Sequence, residues 1–204
     1  MFKKIIQKIL KISRESANID IVLENIKGNE SILDFACGNC YILGRILKKY
    51  PKLRAAAYDI DRERIRDAEN TFQNKNYQID FYDDLELLKN NYGNFDIILI
   101  ISVLYLMPFS KQEEILKLLI DKLNPGGKII IQEAFKKRNF KHLLTISKEM
   151  ILKKLAVTKA ESRELYFRSL DDWKNLFEKL NLKFEIIEQK FYRVNSVFFI
   201  CRRY

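Results

Sequence analysis

The sequence has few cysteines. Three in 204 residues are too few, and odd in number, for a disulfide framework, so we expect a reducing compartment. No segment is of low complexity and no internal repeat is present, while hydrophobic residues make up 48% of the chain and charged residues 31%. This balance excludes disordered and fibrous proteins and is typical of soluble globular ones.

A long apolar run is also absent. The most apolar stretch extends from Phe95 to Phe109 and contains Asp96 and Ser102, so it falls short of the ~18 to 20 residues of a membrane span. The first residues mix lysines with apolar side chains, unlike the separate basic and apolar regions of a secretory signal. We therefore expect a cytoplasmic protein that forms a single domain over residues 1–204.

Acidic residues are outnumbered, and the net charge is +10. This excess favours a nucleic acid or an anionic membrane as partner, although a solvated, lysine-rich surface has the same composition. Residues 1–27 predict an N-terminal amphipathic helical segment that either contacts a membrane or packs on the domain. Residues 135–168 predict an inserted helical lid, with eight Lys or Arg against one acid between Lys136 and Lys159.

Strand-like and helix-like segments alternate from residue 31 onward. This order predicts right-handed βαβ units and a mostly parallel sheet with helices on both faces. After the lid, Ser169 and Asp172 predict the capped start of a helix over 169–182, and the last residues predict an antiparallel hairpin that turns around Val194 to Ser196. The predicted strands of the alternation cover 31–36, 53–58, 77–82, 95–102 and 128–134, and its predicted helices cover 40–50, 61–73, 83–91 and 110–124.

Two glycines separate the last of these helices from the fifth strand. The turn from Asn124 to Lys128 is predicted to close the helix with a glycine at its C-cap, as helix ends prefer.

Acidic residues collect where the first three strands end, which is the edge at which parallel sheets bind ligands. Asp59 follows the second strand and lies 21 residues after Gly38. That spacing is typical of a carboxylate that accepts both hydroxyls of a ribose whose nucleotide rests on the first turn. Helix capping is the alternative for Asp61, Asp83 and Asp84, because each precedes a predicted helix.

The cysteines Cys37 and Cys40 open three interpretations of the first turn. A redox pair fits the position before a helix, but it requires a cis-proline facing the pair, and each of the three prolines is explained by a helix end or turn. A zinc site needs further ligands from Cys201 and His142, whose spacing does not indicate one. A ligand-binding turn with small side chains fits best. A nicotinamide-binding GxGxxG is disfavoured, because only one of its three glycines is present.

Five segments in order resemble the motifs of the class I S-adenosylmethionine-dependent methyltransferases, of the small-molecule type. The resemblance extends from about residue 29 to residue 134, and it implies a Rossmann-like seven-stranded sheet in the order 3-2-1-4-5-7-6, with strand seven antiparallel. The matching segments are ILDFACGNC, AAAYDID, IDFYDD, FDIILIISVLYLM and LNPGGKIII.

The resemblance implies that the first turn holds the methionine half of S-adenosylmethionine, through Asp34 and the backbone of Ala36, Cys37 and Gly38. Ala36 and Cys40 stand where the family usually has glycine. Glycine takes a positive φ and lets a ligand approach closely, so we expect Ala36 to cost little and Cys40 to put a side chain near the cofactor.

The resemblance also implies a place for the nucleoside half. Asp59 would bind the ribose hydroxyls, Ile60 would pack on the adenine and Asp83 would meet its amino group. No metal is implied.

The acceptor is expected to be a small molecule, because the fourth motif lacks the Asn/Asp-Pro-Pro-aromatic turn of relatives that methylate planar amino groups. A lid that is both basic and apolar favours an amphiphilic, lipid-like acceptor, methylated on oxygen or nitrogen. Tyr105 and Glu133 are the candidate catalytic residues facing the pocket, whereas His142 lies in the lid. The alternatives are an RNA methyltransferase, favoured by charge, and a non-catalytic binding module with a decayed cofactor turn.

Overall fold

The computed structural model describes residues 19–91, 93–134, 164–188 and 196–204. The helices are α1 (Ile19–Glu24), α2 (Tyr41–Lys49), α3 (Arg62–Phe72), α4 (Leu85–Asn91), α5 (Phe109–Asp121) and α6 (Leu170–Lys179), with a 3₁₀ helix at Leu104–Leu106. The strands are β1 (Ser31–Phe35), β2 (Arg54–Tyr58), β3 (Gln78–Tyr82), β4 (Phe95–Ile101), β5 (Leu123–Ala134), β6 (Leu182–Glu188) and β7 (Ser196–Arg203).

The seven strands form one sheet in the order β3-β2-β1-β4-β5-β7-β6. Strands β1 to β5 pair in parallel, and β7 pairs antiparallel to both β5 and β6. The expected strand order and the antiparallel C-terminal hairpin are therefore confirmed. The carboxyl ends of the parallel strands lie at one edge of the sheet, so the predicted site residues share that edge.

Apolar side chains from alternate strand positions point to opposite faces of the sheet. Leu33 and Phe35 of β1 belong to a first cluster with side chains of α4, α5 and α6. Ile32 belongs to a second cluster with side chains of α1, α2 and α3. Helices therefore cover both faces of the sheet, as the alternating pattern predicts.

The helix that follows the lid begins as predicted. Ser169 is the N-cap of α6 and accepts the backbone N–H of Asp172, whose carboxylate in turn accepts the backbone N–H of Ser169. This reciprocal pair is a capping box.

The prediction for the glycine turn was wrong. Helix α5 ends at Asp121 with Lys122 as C-cap, and the residues from Asn124 to Gly127 belong to β5. The register against β4 slips there, from Phe95 opposite Leu123 to Ile97 opposite Lys128. The glycines therefore form an irregular start of a strand rather than a helix end, because pairing with β4 begins before them.

Several predictions fall on residues outside the described ranges. These are the amphipathic helix of residues 1–18, the lid over residues 135–163 with His142, and the hairpin turn at residues 194–195. The division of the chain into 1–27, core and lid therefore stays a prediction. Within the described ranges, no helix is both long enough and apolar enough to cross a membrane.

Candidate functional site

Three alternate residues in the turn after β1 have a left-handed backbone conformation. Ala36, Gly38 and Cys40 have φ angles of 59°, 58° and 56°. A left-handed conformation costs a residue with a side chain roughly 1–2 kcal/mol. The expectation that Ala36 costs little was therefore wrong for the stability of the turn, because Ala36 and Cys40 both adopt the backbone conformation that favours glycine. The turn is held by two backbone hydrogen bonds of 2.9 Å, from Cys37 N–H to Tyr58 O and from Cys40 N–H to Cys37 O.

Asp59 joins the end of β2 to this turn. Its Oδ2 accepts the Gly38 N–H at 2.8 Å, and its Oδ1 accepts the Asp61 N–H at 2.9 Å. Asp59 is 6% exposed. An ionised carboxylate has about four acceptor positions, so both oxygens can still accept hydroxyl groups from a ligand.

Asp34 lies beneath the turn at 3% exposure. Its Oδ2 has no hydrogen-bond partner among the described residues. Burial, followed by the charge of Asp59, raises the pKa of Asp34 to about 7, against the opposing effect of a backbone hydrogen bond from Leu43. A buried acceptor without a donor costs about 1–3 kcal/mol, so this atom marks a place where a ligand's donor would be stabilised.

The residues after Asp59 and after β3 complete the edge. Ile60 is 61% exposed and leaves an apolar surface open at this edge. The Asp83 carboxylate pairs with Arg62, at 2.6 Å from its Nε. The structure therefore brings Asp34, the first turn, Asp59 and Ile60 together, while Asp83 carries a partner of its own.

Helix capping accounts for two of the other acids. The Asp61 carboxylate accepts the Glu63 N–H at 3.2 Å at the start of α3. The Asp84 carboxylate accepts the Glu86 N–H at 2.8 Å at the start of α4. Both satisfy amides that a helix leaves open at its N-terminus.

Of the two cysteines in the turn, Cys37 is half-buried and Cys40 is buried. A hydrogen bond with Cys40, then burial, then the charge of Asp34 raise the pKa of Cys37 far above its ordinary value. A redox cysteine needs the opposite shift, because the thiolate is the nucleophile. Cys40 is 1% exposed and packs in the second cluster, so its side chain lies in the core of the domain rather than beside a ligand.

Cys201 lies on the other face of the sheet from Cys40, in the first cluster. Among the described residues, no group of three His, Cys, Asp or Glu side chains could hold a metal ion.

The two candidate catalytic residues lie at the ends of β4 and β5. Glu133 is fully buried, and its Oε1 accepts the N–H groups of Val103 and Leu104 at 2.9 and 2.7 Å. Tyr105 is 6% exposed and stacks on Phe167, with ring centroids 5.0 Å apart and an interplanar angle of 14°. These aromatic rings belong to a third, small apolar cluster, formed by Tyr105, Leu106, Ala134 and Phe167.

Two residues that no sequence motif identifies hold Phe167 in place. Gln112 is fully buried, and its Nε2 donates to Met107 O and Tyr166 O at 3.0 Å each. Its Oε1 accepts the Arg168 Nε–H at 2.7 Å. Gln112 stands on the same helical face as the buried Ile115 and Leu116, and a glutamine on an apolar face is the signal that could have identified it.

A protein-family model described as a methyltransferase domain matches residues 26–186. A sequence search against curated proteins gave no significant match. Among solved structures, the chain is similar to the magnesium protoporphyrin IX methyltransferase of Synechocystis with bound S-adenosylhomocysteine, at 14% identity and a TM-score of 0.71 over 98% of this chain and 87% of that one.

It is also similar to human N-acetylserotonin methyltransferase in complex with S-adenosylmethionine, at 17% identity and a TM-score of 0.70 over 97% of this chain and 55% of that one. An O-methyltransferase family protein from Burkholderia thailandensis is 16% identical, with a TM-score of 0.67 over 91% of this chain and 55% of that one. The chain therefore spans about half the length of the last two proteins.

Proposed function

The chain belongs to the methyltransferase domain family and has the class I S-adenosylmethionine-dependent methyltransferase fold, and from that premise we propose that it transfers a methyl group from S-adenosylmethionine to an oxygen or nitrogen atom of a small acceptor. The observation that carries the proposal is the bond from Gly38 N–H to Asp59 Oδ2. It joins the first turn to the ribose-binding carboxylate at the edge where the fold binds its ligands.

The residues of this edge fit the cofactor. Asp34 Oδ2 is a buried acceptor that receives no hydrogen bond from the described part of the chain, and a ligand ammonium placed there would stabilise the ionised carboxylate. The exposed Ile60 offers an apolar surface to the adenine ring, beside the Asp59 carboxylate for the ribose. Asp83 would reach the adenine amino group with Oδ1, since the Arg62 Nε–H binds Oδ2. The backbone of Ala36, Cys37 and Gly38 lines the approach.

S-adenosylmethionine supplies an electrophilic methyl group on a sulfonium. The task of the protein is then alignment and exclusion of water, and alignment alone lowers barriers by about 7 to 11 kcal/mol in favourable model reactions. A general base is needed only if the acceptor atom is protonated at the working pH. Tyr105 remains the candidate on the acceptor side.

The acceptor site is proposed at the third cluster. Tyr105 and Phe167 form a stacked aromatic pair next to Leu106 and Ala134, which supports an acceptor with an apolar part. The basic residues of the segment 135–168 support a second, anionic or polar part. An amphiphilic, lipid-like molecule combines both.

The first experiment is a calorimetric titration of S-adenosylhomocysteine into the full chain. We expect micromolar binding by the wild type and at least about a hundredfold weaker binding by Asp59→Ala, because that change removes two hydrogen bonds to a charged acceptor as well as the ribose contact. Asp84→Ala is the matched control, since it removes an acid that caps α4 at the neighbouring strand end. The control should bind within about twofold of the wild type.

The same protein preparation separates the alternatives. A folded wild type that does not bind S-adenosylhomocysteine would contradict the proposal and favour a non-catalytic binding module. If the wild type binds, isotope-labelled methyl transfer into lipid and RNA extracts tests the acceptor. Label found only in RNA would favour an RNA methyltransferase and exclude the small-molecule acceptor.

A further inference from the structure

The 3₁₀ helix that follows β4 begins without a cap from its own segment. Val103 is its N-cap residue and makes no side-chain capping bond. The preceding residue, Ser102, has a φ of 55° and donates its N–H to Gln132 O at 2.7 Å. The chain therefore turns sharply out of the sheet. The first N–H groups of the helix have no acceptor within the helix and need one from elsewhere.

Glu133 supplies that acceptor from the neighbouring strand. One oxygen, Oε1, accepts both Val103 N–H and Leu104 N–H, although these residues lie 30 and 29 positions away in the chain. A carboxyl oxygen has two lone-pair positions, so a single oxygen can accept both amides. The position of the 3₁₀ helix is thus tied to a strand that is paired on both sides, with β4 and β7.

Tyr105 is the next residue of this helix, so its position depends on the same two bonds. The Tyr105 carbonyl accepts the Tyr166 N–H at 2.8 Å, and its ring stacks on Phe167. Displacing the start of the helix would move both contacts. The packing of Tyr105 on Phe167 in the third cluster therefore depends on the buried side chain of Glu133.

We propose that Glu133 is a positioning residue, which caps the 3₁₀ helix through Oε1 and thereby holds Tyr105 against Phe167 at the acceptor site. This inference rests on the proposed function for the meaning of the site, but the capping itself does not depend on it. In this role Glu133, a candidate catalytic residue by sequence, does not act as a general base. A base must come within about 2.6–3.2 Å of the acceptor's proton-bearing atom, whereas Glu133 is fully buried and directs one oxygen at two backbone amides.

Two substitutions of similar volume separate capping from proton transfer. Glu133→Gln keeps an oxygen that can accept both amides but cannot act as a base. Glu133→Met keeps the volume and removes the acceptor. Glu185→Gln, on the exposed edge strand β6, controls for the loss of one acid.

Hydrogen exchange of the full chain measures the capping directly. We expect the amides of Val103 and Leu104 to exchange at least about tenfold faster in Glu133→Met than in the wild type, and to stay within about threefold in Glu133→Gln and Glu185→Gln. Equal protection in Glu133→Met and wild type would overturn the proposal. A loss of protection in Glu133→Gln as large as that in Glu133→Met would also overturn it. If Glu133→Met does not fold, the protection of the two amides in Glu133→Gln still tests the proposal.

Labelled methyl transfer into a small-molecule extract gives the functional reading. We expect Glu133→Met to slow transfer at least about tenfold and Glu133→Gln to restore most of the rate, while S-adenosylhomocysteine binds all variants alike. Loss of transfer in Glu133→Gln with intact amide protection would identify a base and overturn the proposal. Failure of the wild type to bind S-adenosylhomocysteine would remove the proposed function, while the exchange rates would still decide the capping.

Discussion

At the scale of single residues, two acids beside the first turn have opposite surroundings. Asp59 has both oxygens hydrogen-bonded to backbone amides, whereas Asp34 keeps one buried oxygen without a donor among the described residues. The negative charge of Asp59 also disfavours ionisation of Asp34. A cationic ligand group beside the pair would lower the pKa of Asp34, because an opposite charge favours the ionised form.

Asp34→Asn should make the protein more stable at alkaline pH, relative to the wild type. The pKa of Asp34 is raised from 3.8 to about 7 by folding, so the folded state holds the proton more tightly. The tightly held proton adds to the free energy of unfolding. This contribution is complete below about pH 4 and is lost as the pH rises through about 7. Between about pH 5 and about pH 8, the wild type should lose about 2 to 3 kcal/mol relative to Asp34→Asn.

Urea unfolding at both pH values measures this difference. Asp80→Asn, which removes an exposed acid from β3, corrects for the general effect of one carboxylate less. Parallel pH dependence of the wild type and Asp34→Asn would show that Asp34 ionises freely in the fold.

At the scale of elements, the start of β5 depends on a close approach between backbones. A Cβ on Gly127 would lie 2.9 to 3.1 Å from three backbone oxygens, those of Asn124, Phe95 and Asp96. Gly126 has a φ of +77°, and no atom of the described residues lies within 4 Å of a Cβ placed there. Gly127 is therefore required because a side chain would not fit, whereas Gly126 is required only because its backbone conformation is left-handed.

Gly127→Ala should lower the free energy of unfolding by at least about 2 kcal/mol, because the obstructing atoms are backbone and cannot rotate away. Gly126→Ala is the matched control and should cost about 1 kcal/mol for its left-handed conformation. Chemical denaturation of the two variants gives both values. Equal costs would mean that the β4–β5 junction can relax around a methyl group.

At the scale of the whole molecule, the first cluster joins the C-terminal hairpin to the parallel sheet. Phe177 of α6 is fully buried. Its ring centroid lies 5.0 Å from that of Phe199 in β7, 5.5 Å from that of Trp173 and 5.4 Å from that of Phe184 in β6. Helix α6 and strands β6 and β7 therefore share one aromatic contact, and their packing belongs to the global stability of the domain.

Phe177→Ala should lower the free energy of unfolding by about 3 to 5 kcal/mol, which is the usual cost of deleting a buried aromatic ring. Leu87→Ala, at a position 46% exposed, should cost less than about 1 kcal/mol. Equilibrium denaturation followed by Trp173 fluorescence compares the two. A cost of Phe177→Ala as small as that of Leu87→Ala would mean that α6 docks independently of the sheet.

Much of the fold could be predicted from local sequence. Period-two and helical patterns located strands β1 to β4 and the helices between them to within a few residues, since each element must bury its own apolar face. The resemblance supplied the strand order. The alignment of Asp59 with Gly38 also followed from sequence, because parallel strands bring their carboxyl ends to one edge. The glycine turn was misassigned because the pairing of Leu123 with Phe95 is a tertiary contact with no local signature.

The sequence by itself determined which residues stand at the strand ends, because strand boundaries depend on short-range patterns. Only the tertiary structure decided what those residues contact. Glu133 meets the amides of Val103 and Leu104 across two strands, and Arg168 meets Gln112 at a separation of 56 residues. The raised pKa of Asp34 likewise depends on burial beneath elements distant in the chain. Such contacts arise from packing of the whole domain, and no local spacing encodes them.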